Sequence, residues 1–252
     1  MHVAIGALGR ILGGTGDAYV LSNSILSLAQ WLAAALTVLF FARRLGGDRA
    51  ALFAVALFTG TGPSSLSFSV GLPSGWIFIL SAWAVWFFVR ERWVLAALCT
   101  SGACYVHLGG FATAPVGVLV AALLLRRWKS LVAVGLTVGV LTLPYVLHFL
   151  RYREWYIGER GHVAADMAPP LIYLCALPAL LVRLRHPVRN ALLVAWALAP
   201  AAWLLQDPSR LVLQWTLCGA VLGGLLSDRQ RGRDDHVQFD PHPVIIEPMT
   251  GR

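Results

Sequence analysis

Charged residues are scarce in this chain of 252 residues. Asp, Glu, Lys and Arg together make up 13% of it, whereas a soluble protein carries about 25%. Hydrophobic residues make up 58%, and the mean hydropathy is +0.70. This composition predicts an all-helical integral membrane protein rather than a soluble domain.

Several motifs are also missing. The N-terminus lacks the basic n-region and cleavage site of a signal peptide. There is no nucleotide-binding loop, zinc cluster or serine-hydrolase elbow. The four cysteines lie in apolar segments without metal-ligand spacing, and we interpret them as small buried apolar residues. The net charge of +8 does not indicate nucleic acid, because the basic residues lie in short loops between apolar segments.

Nine apolar segments account for most of the chain. The first, 18–41, rises about 1.5 Å per residue as a helix and can cross a hydrocarbon core of roughly 30 Å. We expect it to end at Arg43 and Arg44. The others are 50–68, 76–89, 93–106, 110–125, 130–150, 169–182, 190–205 and 211–226. The pair 93–106 and 110–125 is short, so this hairpin either thins the bilayer or fails to reach both surfaces.

The loops alternate in charge, which predicts the topology. Cytoplasmic loops are enriched in Lys and Arg, and alternate loops of this chain carry most of them. The basic set is Arg43, Arg44, Arg49, Arg90, Arg92, Arg126, Arg127, Lys129, Arg183, Arg185 and Arg189. We therefore expect a nine-span bundle over 1–226, with segment 1–17 outside and 227–252 as a disordered cytoplasmic tail. The expected location is the plasma membrane of a prokaryote.

An ordered series of features in 1–156 resembles a known family. His2 and Gly13-Gly14 precede the first span. Arg43-Arg44-Leu45-Gly46-Gly47 is followed by Ala50-Ala51 and Pro63. Short paired helices over 93–125 and an aromatic, charged outer loop over 152–166 come next. This order is similar to the GT-C superfamily of membrane glycosyltransferases, which includes the protein-mannosyltransferase-like enzymes.

The resemblance implies sugar transfer from a polyprenyl-phosphate donor to an acceptor at the outer face. In the family a carboxylate acts as general base, and cations hold the lipid phosphate. The family's acidic residue lies in the first outer loop, and Asp17 lies too late to match it. We therefore expect a truncated N-terminus, a degenerate member, or a partner subunit that supplies the missing part.

The outer loop that follows the sixth span supplies residues of the required kinds. Its carboxylates can act as a general base or as ligands of a divalent metal, and its arginines can bind phosphate bidentately. The candidate catalytic residues are Glu154, Glu159 and Asp166, and the candidate substrate-binding residues in the loop are Arg151, Arg153, Tyr156 and Arg160. The alternative interpretation is a solvated loop whose aromatic residues anchor in the headgroups.

Three further positions belong to the candidate set or lie beside it. His107 precedes Gly109 and Gly110, which can let a ligand approach the backbone closely. We interpret His148 as a packed residue. Arg210 either pairs with Asp207 or binds a lipid phosphate.

A second class of function stays open, in which the chain is a transporter or a non-catalytic membrane subunit. A coupled transporter usually shows internal repeats and ionisable residues at mid-membrane depth. The sequence shows no repeat, and the interiors of the predicted spans hold no Asp, Glu, Lys or Arg. We therefore prefer the prediction of a membrane glycosyltransferase. Its expected partners are membrane lipid and a polyprenyl-phosphate sugar.

Overall fold

The computed structural model describes residues 2–60, 73–107, 110–152, 187–199 and 220–225. The helices are α1 His2–Ile11, α2 Gly16–Gly60, α3 Pro73–Val89, α4 Trp93–Val106, α5 Gly110–Leu125, α6 Trp128–Arg151 and α7 Pro187–Leu198. Residues 220–225 add a short helical stretch. These ranges contain no strand, which confirms the all-helical prediction.

The predicted short hairpin is present. α4 and α5 begin and end at the residues predicted from the sequence, and α3 and α6 exceed their predicted bounds by at most three residues. α7 begins three residues before its predicted start. The predictions for 61–68, 169–182, 200–205, 211–219 and 227–252 lie outside the described residues.

The first two predicted spans form one long element with a break. α2 continues through Arg43 and Arg44, so the prediction that the helix ends there is wrong. Arginine is a good helix former, and its charge alone does not end a helix. The break is at Gly47, with φ 86° and ψ −174°, a conformation that glycine adopts without strain. Segment 16–46 is about 46 Å long at 1.5 Å per residue.

The N-terminal segment folds back onto the start of α2. Gly13 and Gly14 have φ values of 115° and 69° and form the turn after α1. The ring of Tyr19 lies against Gly9, where a Cβ atom would overlap it. The glycines predicted as part of a family motif thus build the turn that places α1 on α2.

Small side chains fill the helix interfaces. The fully buried alanines include Ala34, Ala42, Ala54, Ala96, Ala121 and Ala195. Several buried hydroxyls donate within their own helices: Ser22 donates to the Ala18 carbonyl at 2.6 Å, and Thr37 donates to the Ala33 carbonyl at 2.7 Å. Small and hydroxyl-bearing residues let helix backbones approach closely in membrane bundles.

Large aliphatic side chains point outward instead. On α6, Leu136 is 69% exposed and Val140 is 72% exposed. On α2, Val20 and Leu36 are likewise exposed. Soluble monomers rarely expose apolar patches of this extent, and this inside–outside distribution is typical of helices that face lipid.

Two described helices, α2 and α6, are long enough and apolar enough to cross a membrane. α3, α4, α5 and α7 are apolar but shorter, at 10–17 residues. The fold therefore combines long helices with a set of short ones.

An aromatic core, defined here as Phe40, Phe41, Trp83, Trp86 and Trp196, joins α2, α3 and α7. The centroid of the Phe41 ring lies 4.4 Å from that of Trp196 and 5.5 Å from that of Trp86. The indole N–H of Trp83 donates to Thr37 Oγ1 at 3.1 Å, and that of Trp196 donates to the Ala82 carbonyl at 3.4 Å. The buried indoles therefore satisfy their polar atoms while they pack.

Basic residues gather beside this core at one end of the bundle. The guanidinium of Arg44 lies 5.5 Å from the Phe40 ring, and that of Arg90 lies 5.3 Å from the Trp86 ring. We define the cationic end as Arg43, Arg44, Arg49, Arg90, Arg92, Arg126, Arg127, Lys129 and Arg189. With two carboxylates, Asp48 and Glu91, these nine cations leave a net charge of +7.

Arg127 holds two turns of the cationic end together. Its Nη1 donates to the Val89 carbonyl at 2.6 Å, and its Nη2 lies 2.9 Å from Glu91 Oε1. Its side chain is 24% exposed, so these charge-assisted bonds are partly shielded from water. The α5–α6 turn is thereby fixed against the end of α3.

We predict that Arg127→Ala lowers the free energy of unfolding by about 1–2 kcal/mol, because it removes charge-assisted bonds at a half-buried site. The measurement is the unfolding transition in mixed detergent micelles. Arg126→Ala is the matched control, since it removes the same charge from an exposed neighbour and should stay within about 0.5 kcal/mol of the parent. Equal losses in the two variants would contradict a specific contact.

Candidate functional site

The turn between α4 and α5 carries His107. The residue is partly exposed and ends α4 in an extended conformation, with φ −164° and ψ 149°. Its N–H donates to the Ala103 carbonyl at 3.4 Å, and its own carbonyl accepts from the Gly110 N–H at 2.8 Å. The backbone of the turn is therefore fixed on both sides of His107.

Gly110 has a packing role in this turn. It is buried, and a Cβ atom built on it would collide with the Ala103 carbonyl of α4. The sequence suggested that glycine here lets a ligand approach the backbone. The structure instead fills that space with the end of α4, so the close approach at Gly110 is between two helices of the same chain.

Tyr145 of α6 packs against both sides of the His107 turn. Its ring centroid lies 5.4 Å from that of Tyr105, before the turn, and 5.7 Å from that of Phe111, after it. Tyr105 Oη donates to the Leu141 carbonyl at 2.8 Å. Pro144 has no N–H, so it interrupts the hydrogen-bond ladder of α6 near this level.

These contacts place the His107 turn below the end of α6. At 1.5 Å per residue, Leu141 and Tyr145 lie about 20 and 26 Å from the start of α6, whereas Arg151 lies about 35 Å from it. The turn therefore lies at the level of 141–145, about 9–15 Å short of Arg151. We call this difference in height between the hairpin end and the end of α6, within the described residues, the His107 recess.

The rim of the recess is formed by the last turn of α6. The His148 ring centroid lies 4.7 Å from that of Tyr152, and the Arg151 guanidinium lies 5.5 Å from the same Tyr152 ring. His148 is exposed, so its interpretation as a packed residue is wrong. Basic and aromatic residues in the last turn of an apolar helix are typical of a polar interface, where they stay exposed.

The structure thus brings two predicted site residues, His107 and Arg151, to the same end of the bundle, opposite the cationic end. The remaining predicted site residues lie outside the described residues: Arg153, Glu154, Tyr156, Glu159, Arg160, Asp166 and Arg210. Because α6 ends at Arg151, the chain enters 153–166 directly from the rim. The described part of the site therefore adjoins the predicted loop in sequence.

The described residues supply a proton-transfer group and a cation. An imidazole can donate or accept a proton near neutral pH, and a guanidinium can bind an anionic oxygen pair bidentately. No group of three or more His, Cys, Asp or Glu side chains that could hold a metal occurs in the described ranges. The three predicted carboxylates lie beyond them.

Sequence reasoning missed the aromatic contacts of the recess. Tyr105, Phe111 and Tyr145 each looked like an ordinary apolar-segment residue. The available signal was their placement, because two of them flank the His107 turn and the third follows Pro144. Aromatic residues on both sides of a polar turn predict a packed hairpin end.

Comparison of the chain with protein-family models, characterised proteins and solved structures finds no match.

We predict that Gly110→Ala destabilises the fold by about 1–3 kcal/mol, because the added methyl group meets a backbone carbonyl that cannot rotate away. The free energy of unfolding in detergent measures the effect. Gly139→Ala on α6 is the control, since no atom of the described chain lies within 4 Å of a Cβ atom there. It should leave stability unchanged or raise it by up to about 1 kcal/mol, and an equal loss in both variants would refute the packing role.

Proposed function

We propose that the chain is a nine-span membrane protein with its cationic end in the cytoplasm and the His107 recess on the outer side. The length of α2 and α6 and the outward aliphatic side chains of these helices support membrane insertion. The positive-inside rule supports the orientation, since nine cations gather at one end.

The proposed activity is transfer of a sugar from a polyprenyl-phosphate carrier to an acceptor at the outer face. The observation that carries this proposal is the depth of the recess below Arg151. A hydrocarbon core is about 30 Å thick, and the His107 turn lies about 20–26 Å from the cytoplasmic start of α6. His107 therefore lies within the outer leaflet, where a polar residue is a functional candidate by default.

This geometry suits a lipid-linked donor. A polyprenyl chain stays in the leaflet, while its phosphate and sugar reach the interface. Arg151 at the rim pairs with the phosphate, and the part of the carrier just below the phosphate lies beside His107. The depth difference lets one substrate contact both residues.

The loop that follows α6 supplies the remaining roles in this proposal. Glu154, Glu159 or Asp166 acts as general base on the acceptor hydroxyl or as ligand of a divalent metal. Tyr156 stacks on the sugar. The remaining cations of the proposed site, Arg153, Arg160 and Arg210, add positive charge for the phosphate.

We predict that Arg151→Gln lowers kcat/KM for sugar transfer by about 10- to 100-fold, because it removes a charge-assisted phosphate contact while it keeps a side chain of similar length. The assay follows labelled sugar released from a polyprenyl-phosphate donor by the protein in nanodiscs. The resemblance alone does not specify which sugar, so donors with different hexoses are compared.

Arg49→Gln is the charge-matched control at the opposite end and should transfer sugar at the parent rate. A parent protein that turns over none of the donors, although folded, would overturn the transferase proposal. Equal turnover by Arg151→Gln and the parent would remove Arg151 from the site.

A further inference from the structure

Two turns at the cationic end share one backbone conformation. In residues 90–93 and 126–128, a left-handed residue ends the first helix: Glu91 has φ 62° and Arg126 has φ 56°. In each turn the next N–H donates to the carbonyl five residues earlier, at 2.9 and 3.0 Å. An arginine and a tryptophan then start the following helix. We call these two segments the Arg–Trp turns.

The Arg–Trp turns lie side by side, since Arg127 of the second binds Glu91 of the first. Both tryptophans remain on the surface: Trp93 is 46% exposed and Trp128 is 53% exposed. Tryptophan is enriched at the level of lipid headgroups, where its ring is partly apolar and its N–H is solvated. The paired turns therefore present two interfacial rings next to several cations.

The two carboxylates of the cationic end are already paired. Asp48 lies 2.6 Å from Arg43, and Glu91 lies 2.9 Å from Arg127. Arg90 packs on the Trp86 ring. Arg92 and Arg126 of the turns and the adjacent Lys129 are exposed, and within the described chain none of these three forms an ion pair with a carboxylate. Their charge is available to an external anion.

We propose that the paired Arg–Trp turns bind the phosphate headgroup of an anionic phospholipid of the cytoplasmic leaflet. The proposal rests on the membrane placement given above and not on the transferase activity. Arg92 on one turn and Arg126 with Lys129 on the other bind the phosphate oxygens. Trp93 and Trp128 pack beside the glycerol and the upper acyl chain.

A lipid is the occupant that fits both parts of this surface. A free phosphate would use the cations but would leave two large rings without a partner. An acyl chain covers such rings, and basic pockets between membrane helices on the cytoplasmic side are known to hold anionic headgroups. Charge complementarity and the exposed indoles thus favour the same ligand.

The test measures lipid retention by native mass spectrometry on the full chain in detergent. Phosphatidylglycerol and phosphatidylcholine with identical acyl chains are titrated in parallel. We expect phosphatidylglycerol to bind at least about tenfold more tightly. The double variant Arg92→Gln/Arg126→Gln should weaken phosphatidylglycerol binding by about 30-fold, since each cation near an anionic headgroup strengthens binding by a factor of about five.

Arg10→Gln/Arg49→Gln is the matched control, because it removes the same charge from exposed residues outside the turns. It should bind phosphatidylglycerol as the parent does. The unfolding transition in detergent micelles that contain phosphatidylcholine shows that each variant is folded. If both double variants bind phosphatidylglycerol equally weakly, the attraction is a diffuse effect of net charge and not a site at the turns, and the proposal is overturned.

Two further results separate the alternatives. If inorganic phosphate at millimolar concentration displaces phosphatidylglycerol completely, the site recognises free phosphate and the lipid proposal fails. If the parent binds both lipids equally, the proposal also fails, with sugar transfer untouched. Release of the chain from membranes by alkaline carbonate would instead overturn the membrane placement on which both proposals depend.

Discussion

The contact of Phe41 with three indole rings, those of Trp83, Trp86 and Trp196, is the interaction on which the arrangement of the described helices depends. Phe41 has no exposed surface, and its neighbours Trp86 and Trp196 belong to different helices. Thr37 lies one turn before Phe41 on α2 and contacts Trp83, which lies one turn before Trp86 on α3, and Phe41 contacts Trp86. Segment 16–46 and α3 therefore run in the same direction, and their basic residues reach the same end.

The second constraint is the difference in length between neighbouring helices. α4 and α5 have 14 and 16 residues, whereas α6 has 24. All three have an end at the cationic surface, so the difference appears entirely at the other end. The His107 recess follows from this arithmetic and needs no special loop conformation. Tyr145 packs against Tyr105 and Phe111, on the two sides of the turn, at this level.

The sequence predicts the helices better than it predicts their breaks. The bounds of α4 and α5 follow from apolar runs that charged or glycine-containing turns interrupt. The helical continuation through 42–46 and the break after it do not follow from the apolar pattern. Arginine is compatible with a helix, and the residue with non-helical dihedral angles is Gly47. The role of Gly110 is equally hidden, since close approach by a ligand and by another helix require the same residue. The sequence also does not show that the two Arg–Trp turns lie side by side. Their proximity follows from the ion pair between Arg127 and Glu91.

Glu91 and Arg126 adopt a conformation in which glycine is usually found at helix ends. A side chain with a Cβ atom is strained there by roughly 1–2 kcal/mol, so glycine would be the choice of a sequence optimised for stability. Arg126 instead keeps a charge that no described carboxylate neutralises. At this position, the backbone strain of a residue with a Cβ atom accompanies a positive charge on the surface. In directed evolution of this chain for thermal tolerance, Arg126→Gly would therefore arise readily and would lower the positive potential of the cationic end.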